Sequence, residues 1–379
     1  MPANMTLEET KLLEDGISSL QGRLPTGWTI SKSTRTVPGP IPSDPQTRVD
    51  RAVDLKGPQS SWITFVVEAK RIFQPRDVER IVPPGVSQTL RSLSNNTPIL
   101  VIAPWLSPRT QELLSASNIN YVDLTGNIRI TVEYPVFYFQ TAGATRDPNP
   151  PERPVARVRG PKAARLVRLL ADVKPPYGVR EIAQVANLNP GYVSKLLDTL
   201  DSEALIDRST RGQVSDIDYA KLLRRWTESY EVFKTNDVIT FLSPQGAETA
   251  LQRLSSLDIY GRAVVTGSFA AVRRAPVAAP AMLLAYCKNI GEVAKDLELL
   301  PATSGANVAL LTPVDDVVWE RTQTVDGVLY AADSQVVVDC LTGNGRMPAE
   351  GEALLSWMVK NESIWRASSI NALQLRDTE

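Results

Sequence analysis

Histidine is absent from this sequence of 379 residues. Without an imidazole the chain has no Ser–His or Cys–His nucleophile pair, no histidine general base and no histidine-liganded zinc. Its two cysteines, Cys287 and Cys340, are too few for a disulfide framework or a zinc site, and they favour a reducing compartment. Any hydrolytic chemistry must therefore rest on carboxylates, lysine, tyrosine or a hard metal ion such as Mg²⁺.

Long apolar runs are also missing, and so is the pattern of a signal peptide. We therefore expect a cytoplasmic protein without a membrane partner. The net charge of −1 gives no global attraction to nucleic acid. The charge is uneven, however, because residues 151–225 carry 14 Lys and Arg against 9 Asp and Glu, whereas residues 301–379 carry 5 against 11. The basic segment predicts a contact with nucleic acid.

Residues 179–217 carry a helical pattern, a tight turn, a second helical pattern and two short extended runs. Asn189 suits the cap of the second helix, and Pro190 suits its first position, where a missing N–H costs nothing. Apolar residues then recur at helical spacing and predict a buried face, namely Val193, Leu196, Leu197 and Leu200. The pattern predicts a winged helix-turn-helix, and the alternative is a plain helical hairpin inside a larger domain.

The other face of that second helix carries small, hydroxyl-bearing and cationic residues, which suit the major groove of DNA. Arginine side chains before the helix and in the extended runs are placed to meet phosphates. We therefore predict contact with double-stranded DNA through six residues, which are Tyr192, Ser194, Lys195, Arg180, Arg208 and Arg211.

Three blocks follow one another along the chain. The first, residues 1–145, alternates helices and strands, and residues 146–160 form a linker rich in Pro and Arg. We expect the winged helix within residues 161–235, which end in a long helix near residues 219–234. The third block, residues 236–379, mixes helices and strands. The sequence thus predicts an α/β multidomain protein.

The first block contains a candidate active site. Its pattern predicts a helix, two strands, two helices, a strand, a helix and a strand, over residues 6–21, 48–55, 62–70, 75–81, 85–93, 99–103, 108–117 and 120–123. Asp50 lies in the first strand, and Glu68-Ala69-Lys70 ends the second. This order, with Asp and Glu-x-Lys on neighbouring strands, resembles the restriction-endonuclease-like PD-(D/E)XK fold.

By this resemblance Asp50 and Glu68 would bind Mg²⁺, and Lys70 would be the catalytic lysine. Carboxylates on adjacent strand ends supply the oxygen ligands that Mg²⁺ prefers, and the metal lowers the pKa of a bound water. Lys70 shares the strand face of Glu68, because side chains two apart point the same way. Asp54 is the alternative aspartate, since it shares the face of Asp50. Two other interpretations stay open, a strand with merely solvated side chains and an inert module for DNA contact or dimerisation.

Asp123 ends a predicted strand, and Gly126-Asn127 suits a tight turn before the strand that begins at residue 128. A hairpin turn is the preferred interpretation, and the alternative places Asp123 or Asn127 beside the Glu68 site. The aromatic residues that follow at positions 134 and 137–139 are expected in the core.

The third block opens with a strand that runs into Thr266-Gly267-Ser268 and the start of a helix. This looks like the opening of a nucleotidyltransferase motif, in which the Gly-Ser turn holds a nucleotide phosphate. That chemistry needs two carboxylates on the next strand, and residues 281–286 contain none. We therefore predict a nucleotidyltransferase-like α/β domain that lacks its catalytic carboxylates.

Together with the winged helix, features of the third block resemble the AbiEi-type antitoxins of bacterial toxin–antitoxin systems. These features are Thr266-Gly267-Ser268, Ser334-Gln335 with Asp339, and Gly345-Arg346. The resemblance implies a DNA-binding autorepressor without enzymatic activity, and it implies a cognate toxin as a partner.

Two functions follow from these patterns. The first is a sequence-specific transcriptional regulator, or antitoxin-like autorepressor, that binds double-stranded DNA as a homodimer. It needs only the residues of the winged helix. The second is a Mg²⁺-dependent DNA endonuclease that uses Asp50, Glu68 and Lys70 and is targeted by the winged helix.

Overall fold

The computed structural model describes residues 7–33, 52–81, 98–149, 157–209, 211–256, 262–370 and 372. The chain divides into two compact units, one of Met1–Pro154 with Ser202–Ala204 and one of Val155–Asp201 with Leu205–Glu379. Helices and a seven-stranded sheet occur in each, so the predicted α/β multidomain class is confirmed at that level. The helical pattern predicted to read DNA and the third block fall almost entirely within the second unit.

The first unit is built around one sheet. Its described elements are α1 Leu7–Gln21, β1 Thr29–Lys32, β2 Ala52–Lys56, β3 Trp62–Ala69, α2 Pro75–Ile81, β4 Ile99–Ala103, α3 Pro108–Ala116, β5 Asn120–Asp123, β6 Ile128–Val132 and β7 Phe137–Thr141. The strands lie side by side in chain order. Neighbours are antiparallel from β1 to β3, parallel from β3 to β5 and antiparallel from β5 to β7. The helix predicted at residues 85–93 lies outside the described residues.

Both faces of this sheet carry apolar clusters, and buried side chains therefore alternate between the faces along a strand. On one face, α1 packs Leu12 and Leu13 against alternate residues of β2, β3 and β4. On the other face, Val78 of α2 and Leu114 of α3 belong to a second apolar cluster. Glu68 lies between buried residues of the first face, and its own side chain is exposed near the end of β3.

The turn between β5 and β6 is held by Asp123, which is fully buried. Its carboxylate accepts hydrogen bonds from the backbone N–H groups of Leu106, Thr125 and Asn127 and from the side chains of Thr125 and Asn127. Gly126 has a φ of +103°, in the left-handed region that favours glycine. The hairpin-turn interpretation is therefore confirmed, and the Asp123 carboxylate is used within the turn.

The aromatic residues beyond this turn do not all enter the core. Phe137 is buried, whereas Tyr134 and Tyr138 are among the most exposed large side chains. The core prediction is therefore wrong for the two tyrosines. Tyr138 lies on the edge strand β7 and alternates outward from Phe137, as neighbouring side chains on a strand do.

The second unit begins with a helical part and a short hairpin. These elements are α4 Pro161–Asp172, α5 Val179–Val185, α6 Pro190–Ser202, β8 Ile206–Arg208, β9 Val214–Ile217, α7 Tyr219–Thr227 and α8 Val232–Thr235. The sheet part follows with β10 Asp237–Leu242, α9 Ala247–Ser256, β11 Ala263–Thr266, α10 Ser268–Ala271, β12 Leu283–Cys287, α11 Ile290–Asp296, β13 Leu300–Pro301, β14 Val308–Thr312, β15 Gln323–Val325, β16 Val328–Tyr330, α12 Asp333–Leu341, α13 Met347–Lys360 and α14 Glu362–Trp365.

The second sheet has the strand order β13-β10-β14-β12-β11-β16-β15. Its centre is fully buried, because all five residues of β12 have helices or strands on every side. A single apolar cluster runs from α4 and α6 into this sheet, so the helical part and the sheet part share one core. Among the residues that the structure describes, no helix combines the length and the apolar composition that crossing a bilayer requires.

The long helix predicted near residues 219–234 is wrong, because α7 ends at Thr227 and α8 begins at Val232. Tertiary contacts of the intervening residues explain the break. The Ser229 hydroxyl donates to the carbonyl of Val158, and the Tyr230 hydroxyl donates to the buried carboxylate of Asp339. Both contacts turn the chain inward where a continuous helix would have carried it past the core.

Candidate functional site

Two helices, α5 and α6, meet at a turn whose geometry is set by local hydrogen bonds. The backbone N–H of Leu188 donates to Ala183 at 2.8 Å and closes α5. The Asn189 side chain accepts from the backbone N–H of Gly191 at 2.8 Å, so the predicted cap of α6 is confirmed. Pro190 is the first residue of α6, as its missing N–H allows.

One face of α6 is buried and holds the helix in place. Its four apolar residues, Val193, Leu196, Leu197 and Leu200, are all fully buried, as their spacing predicts. The chain then forms an antiparallel hairpin from β8 and β9, which confirms the two extended runs. A further bridge joins Tyr177, before α5, to Val214 of the hairpin. The helix pair and the hairpin therefore form one packed element.

The opposite side of this element carries polar groups. Arg180, Lys195 and Arg211 are exposed, and Ser194 is half-buried on the same outer side of the helix. Gly191 leaves the beginning of α6 without a side chain. We call these five residues the α6 surface. It combines three cations from three elements, Arg180 on α5, Lys195 on α6 and Arg211 in the hairpin, with the small hydroxyl group of Ser194.

Tyr192 is less exposed than the sequence pattern predicts. Its ring is half-buried and packs against the apolar cluster of the second unit. Desolvation by this burial raises the pKa of its hydroxyl above the ordinary value of 10. The hydroxyl therefore stays protonated and can donate a hydrogen bond at the border of the α6 surface.

Arg208, one of the residues predicted to contact phosphate, is paired with groups of the protein itself. Its guanidinium lies 2.5 Å from the Asp198 carboxylate of α6 and also donates to the carbonyl of Gly212 at 3.1 Å. Only 19% of its side chain is exposed. Arg208 therefore braces the β8–β9 hairpin against α6. Local sequence patterns do not predict this pair, because Asp198 and Arg208 lie on different elements, ten residues apart.

Acidic side chains limit how far the cationic surface extends. Asp207 and Asp216 stand opposite each other on β8 and β9, and both are exposed. Any anionic partner would be repelled from the stem of the hairpin. The exposed cations of the α6 surface lie away from this stem in sequence, with Arg211 at the hairpin tip, Arg180 on α5 and Lys195 on α6.

The predicted nuclease residues are only partly described. Asp50 lies outside the described residues. Glu68 is exposed near the end of β3, and Lys70 follows that strand. The Lys70 ammonium is bound to a carboxylate oxygen of Asp77 on α2 at 2.6 Å, and the Asp77 side chain is 7% exposed. In this structure the lysine therefore connects β3 to α2.

Asp54 cannot replace Asp50 as a ligand partner of Glu68. It is buried, and it accepts a hydrogen bond from the Thr64 hydroxyl at 2.8 Å. Thr64 is the residue opposite Asp54 in the β2–β3 pairing. Glu68 is four residues further along β3, about 13 Å away at the usual rise of a strand. Over the described parts of the chain, no group of three Asp, Glu or Cys side chains is arranged to hold a metal ion.

A buried polar cluster in the second unit was not predicted. The Asp339 carboxylate is fully buried and accepts hydrogen bonds from Thr266 at 2.6 Å, Tyr230 at 2.7 Å, Gln335 at 2.8 Å and Tyr286 at 2.9 Å. Desolvation raises the pKa of Asp339, although these four donors act in the opposite direction. We call these residues the Asp339 cluster. It ties α12 to β11, β12 and the segment between α7 and α8.

The turn at residues 266–268, predicted to resemble that of nucleotidyltransferases, is hydrogen-bonded to the core, partly through the Asp339 cluster. Gly267 has a φ of +65° and connects β11 to the short helix α10, as the sequence predicts. The hydroxyl of Thr266 donates to Asp339, and that of Ser268 donates to Glu350 on α13. Both hydroxyls that such a turn would offer to a phosphate are therefore used inside the core.

No protein-family model, curated protein or solved structure matches this chain. The α6 surface, the residues around Glu68 and the Asp339 cluster must therefore be judged by their own geometry and chemistry.

Proposed function

We propose that the protein is a sequence-specific regulator that binds double-stranded DNA through a winged helix made of α4, α5, α6 and the β8–β9 hairpin. The observation that supports this most is the two-sided character of α6. Its apolar face is fully buried, while its other side carries Gly191, Ser194 and Lys195 of the α6 surface. In winged-helix proteins the second helix of such a pair lies in the major groove.

Different residues of the α6 surface would serve different parts of the duplex. Ser194 and Lys195 lie on the helix that enters the groove, where hydroxyl and ammonium groups read base edges. Arg180 before the helix and Arg211 at the hairpin tip flank it and would contact phosphates. Because Gly191 has no side chain, the beginning of α6 can approach the DNA backbone closely. Tyr192 adds a hydroxyl donor at the border.

A homodimer fits the same proposal. Two copies related by a two-fold axis would place their α6 helices in successive major grooves, about 34 Å apart along the duplex. The DNA target would then be a pair of inverted half-sites.

Selection from a pool of random duplexes tests the proposal. We expect the wild-type protein to enrich a short motif, arranged as two inverted half-sites, over several rounds. Sequencing of the pool after parallel rounds with Lys195→Ala plus Arg211→Ala serves as the comparison. If the two proteins recover the same sequences, or if the wild type recovers none, α6 does not read DNA.

The salt dependence of binding distinguishes Arg208 from Arg211. We expect Arg211→Ala to flatten the slope of log K against log salt by about 1, because one phosphate contact is lost. Arg208→Ala should leave the slope unchanged, since its charge is already paired with Asp198. Fluorescence anisotropy with the selected duplex at several salt concentrations measures both slopes. Equal flattening in the two variants would show that Arg208 leaves Asp198 to bind phosphate.

A Mg²⁺-dependent endonuclease is the second candidate function, and one observation favours it. Ala52 at the start of β2 lies opposite Val66, near the end of β3. The hairpin therefore brings the chain just after Asp50 alongside the strand end that carries Glu68.

We nevertheless expect plasmid DNA to remain supercoiled when it is incubated with the wild-type protein and Mg²⁺. The Lys70 ammonium is held by Asp77, so it is not free to orient a water or to stabilise a phosphate. Agarose gel electrophoresis over several hours measures cleavage. Nicking by the wild type that Lys70→Ala abolishes, and that a matched Lys32→Ala control retains, would establish the nuclease instead.

A further inference from the structure

A cavity of about 530 Å³ that is partly open to solvent lies in the second unit, and no residue of the α6 surface lines it. It is bounded by the first turn of α4, the segment between α7 and α8, residues 314–318 and one side chain of α12. This volume falls within the range of about 300–1,000 Å³ that small-molecule sites occupy. Its size therefore suits a ligand rather than a single water molecule.

Gln335, a buried residue of the cavity lining, has a side-chain acceptor without a partner. Gln335 is 1% exposed, and its amide nitrogen donates to Asp339 at 2.8 Å, which fixes the orientation of the amide. Its oxygen, Oε1, accepts no hydrogen bond from the residues that the structure describes. Burying an acceptor in this way costs about 1–3 kcal/mol. A donor on a molecule inside the cavity would remove that cost.

The polar neighbours of Gln335 have their own partners. The Tyr230 hydroxyl donates to Asp339 and accepts from the Asn236 amide at 3.1 Å. The same amide also donates to the carbonyl of Val232, and the Asn236 side-chain oxygen accepts from the backbone N–H of Val314. Gln335 Oε1 is therefore the acceptor that these residues leave for a ligand.

The rest of the lining is apolar or internally neutralised. Trp226, Ala164 and Val318 supply buried apolar surface. The carboxylates of Glu231, Asp315 and Glu228 line the cavity, and each has a cation within about 3 Å, namely Lys234 at 2.6 Å, Arg165 at 2.9 Å and Arg225 at 3.1 Å. Arg159 is the remaining charged residue of the lining, and it is exposed. Such walls favour a ligand without charge.

We propose that this cavity binds a small, uncharged, planar organic molecule that donates an N–H or O–H hydrogen bond to Gln335 Oε1. The apolar side chains of Trp226, Ala164 and Val318 contact the body of the molecule, and the buried acceptor of Gln335 sets its orientation. Sites of this kind commonly combine an apolar lining with a few polar groups.

The ligand would also contact α4, the first helix of the proposed winged helix. Arg165 and Arg168 of α4 bind the wall at residues 315–320, through the carboxylate of Asp315 and the carbonyls of Val317 and Glu320. Helices α4, α5 and α6 share one apolar cluster. If the proposed DNA-binding function holds, occupancy of the cavity changes the affinity for DNA. Binding to the cavity itself does not depend on that function.

Saturation-transfer NMR on the DNA-free full-length protein tests the cavity with indole and benzothiophene at millimolar concentration. The two probes have the same planar shape, but only indole carries an N–H donor. We expect indole to bind about ten-fold more tightly than benzothiophene, as one hydrogen bond to a buried acceptor implies. Gln335→Met should abolish this preference.

Two further variants keep the test valid if Gln335→Met does not fold. Val314→Trp fills the cavity from a position that is 54% exposed, and we expect it to abolish indole binding. Val277→Trp is the matched control at a position that is 49% exposed and outside the cavity, and it should bind indole as the wild type does. Equal binding of the two probes, retained binding by Val314→Trp, or no binding by the wild type would overturn the proposal. Because no DNA is present, these results stand apart from those on the winged helix.

Discussion

Replacing Lys195 and Arg211 together by Ala is expected to weaken binding to the selected duplex about 100-fold at physiological salt. Each residue supplies a charge-assisted contact, and the two lie on different elements, so their losses should add. Both side chains are exposed, and neither supports the fold. Fluorescence anisotropy with a labelled duplex measures the dissociation constant, and a thermal melt checks that the variant remains folded.

The control variant also loses two positive charges, but from another part of the second unit. Lys295→Ala with Lys360→Ala removes two exposed cations from α11 and α13, and its affinity should match that of the wild type. This comparison separates a local contact from the general effect of net charge. If the Lys195 and Arg211 double variant binds as tightly as the control, the assignment of the α6 surface is refuted.

The second large effect concerns the Asp339 cluster. We expect Asp339→Ala to lower the free energy of unfolding by about 3 kcal/mol, because buried donors on Thr266, Tyr286 and Gln335 lose their acceptor. Urea unfolding followed by tryptophan fluorescence measures the loss. The control is Asp237→Ala, at an exposed position on β10 in the sheet part of the second unit. It should change the free energy of unfolding little.

The loss of stability caused by Asp339→Ala should depend on pH. Burial raises the pKa of Asp339, so the folded protein retains a proton that the unfolded chain releases above about pH 4. The contribution of this carboxyl to stability is therefore greatest below that pH and declines as the pH rises through the raised pKa. Tyr230 and Tyr286 stay protonated there, because burial raises the pKa of both hydroxyls well above 10. The stability difference between wild type and Asp339→Ala should shrink as the pH rises above about 4, and a widening difference would contradict the pKa direction.

Local patterns in the sequence were sufficient to predict α6 and its surroundings. Its buried face follows from apolar residues at helical spacing, and its beginning follows from Asn189 and Pro190, whose effects act within a few residues. Strands β2 to β6 of the first unit are predicted by short apolar runs, which are also local, whereas the edge strands β1 and β7 are not. Most of the α/β architecture could therefore be predicted element by element.

Contacts between distant residues could not be predicted in this way. Tyr230 breaks a helical pattern because its partner Asp339 lies 109 residues further on. Lys70 was read as a catalytic lysine, and its ion pair with Asp77 depends on how α2 folds back along β3. Arg208 was assigned to phosphate because its partner Asp198 lies on another element. In each case a partner brought close by tertiary packing decides what the side chain does.

Photo-crosslinking from position 194 tests whether α6 lies in the major groove of bound DNA. Cys287 and Cys340 are fully buried, and burial raises the pKa of the Cys287 thiol to about 12, so neither native thiol competes for a label. Ser194→Cys therefore allows a photoreactive group to be attached to the outer face of α6, and Ser356→Cys on α13 provides an exposed control. With the selected duplex bound, we predict crosslinks to bases in the major groove from position 194 and none from position 356. Bound duplex without crosslinks from position 194, or with crosslinks from position 356 alone, would contradict the assignment of α6 as the helix that reads DNA.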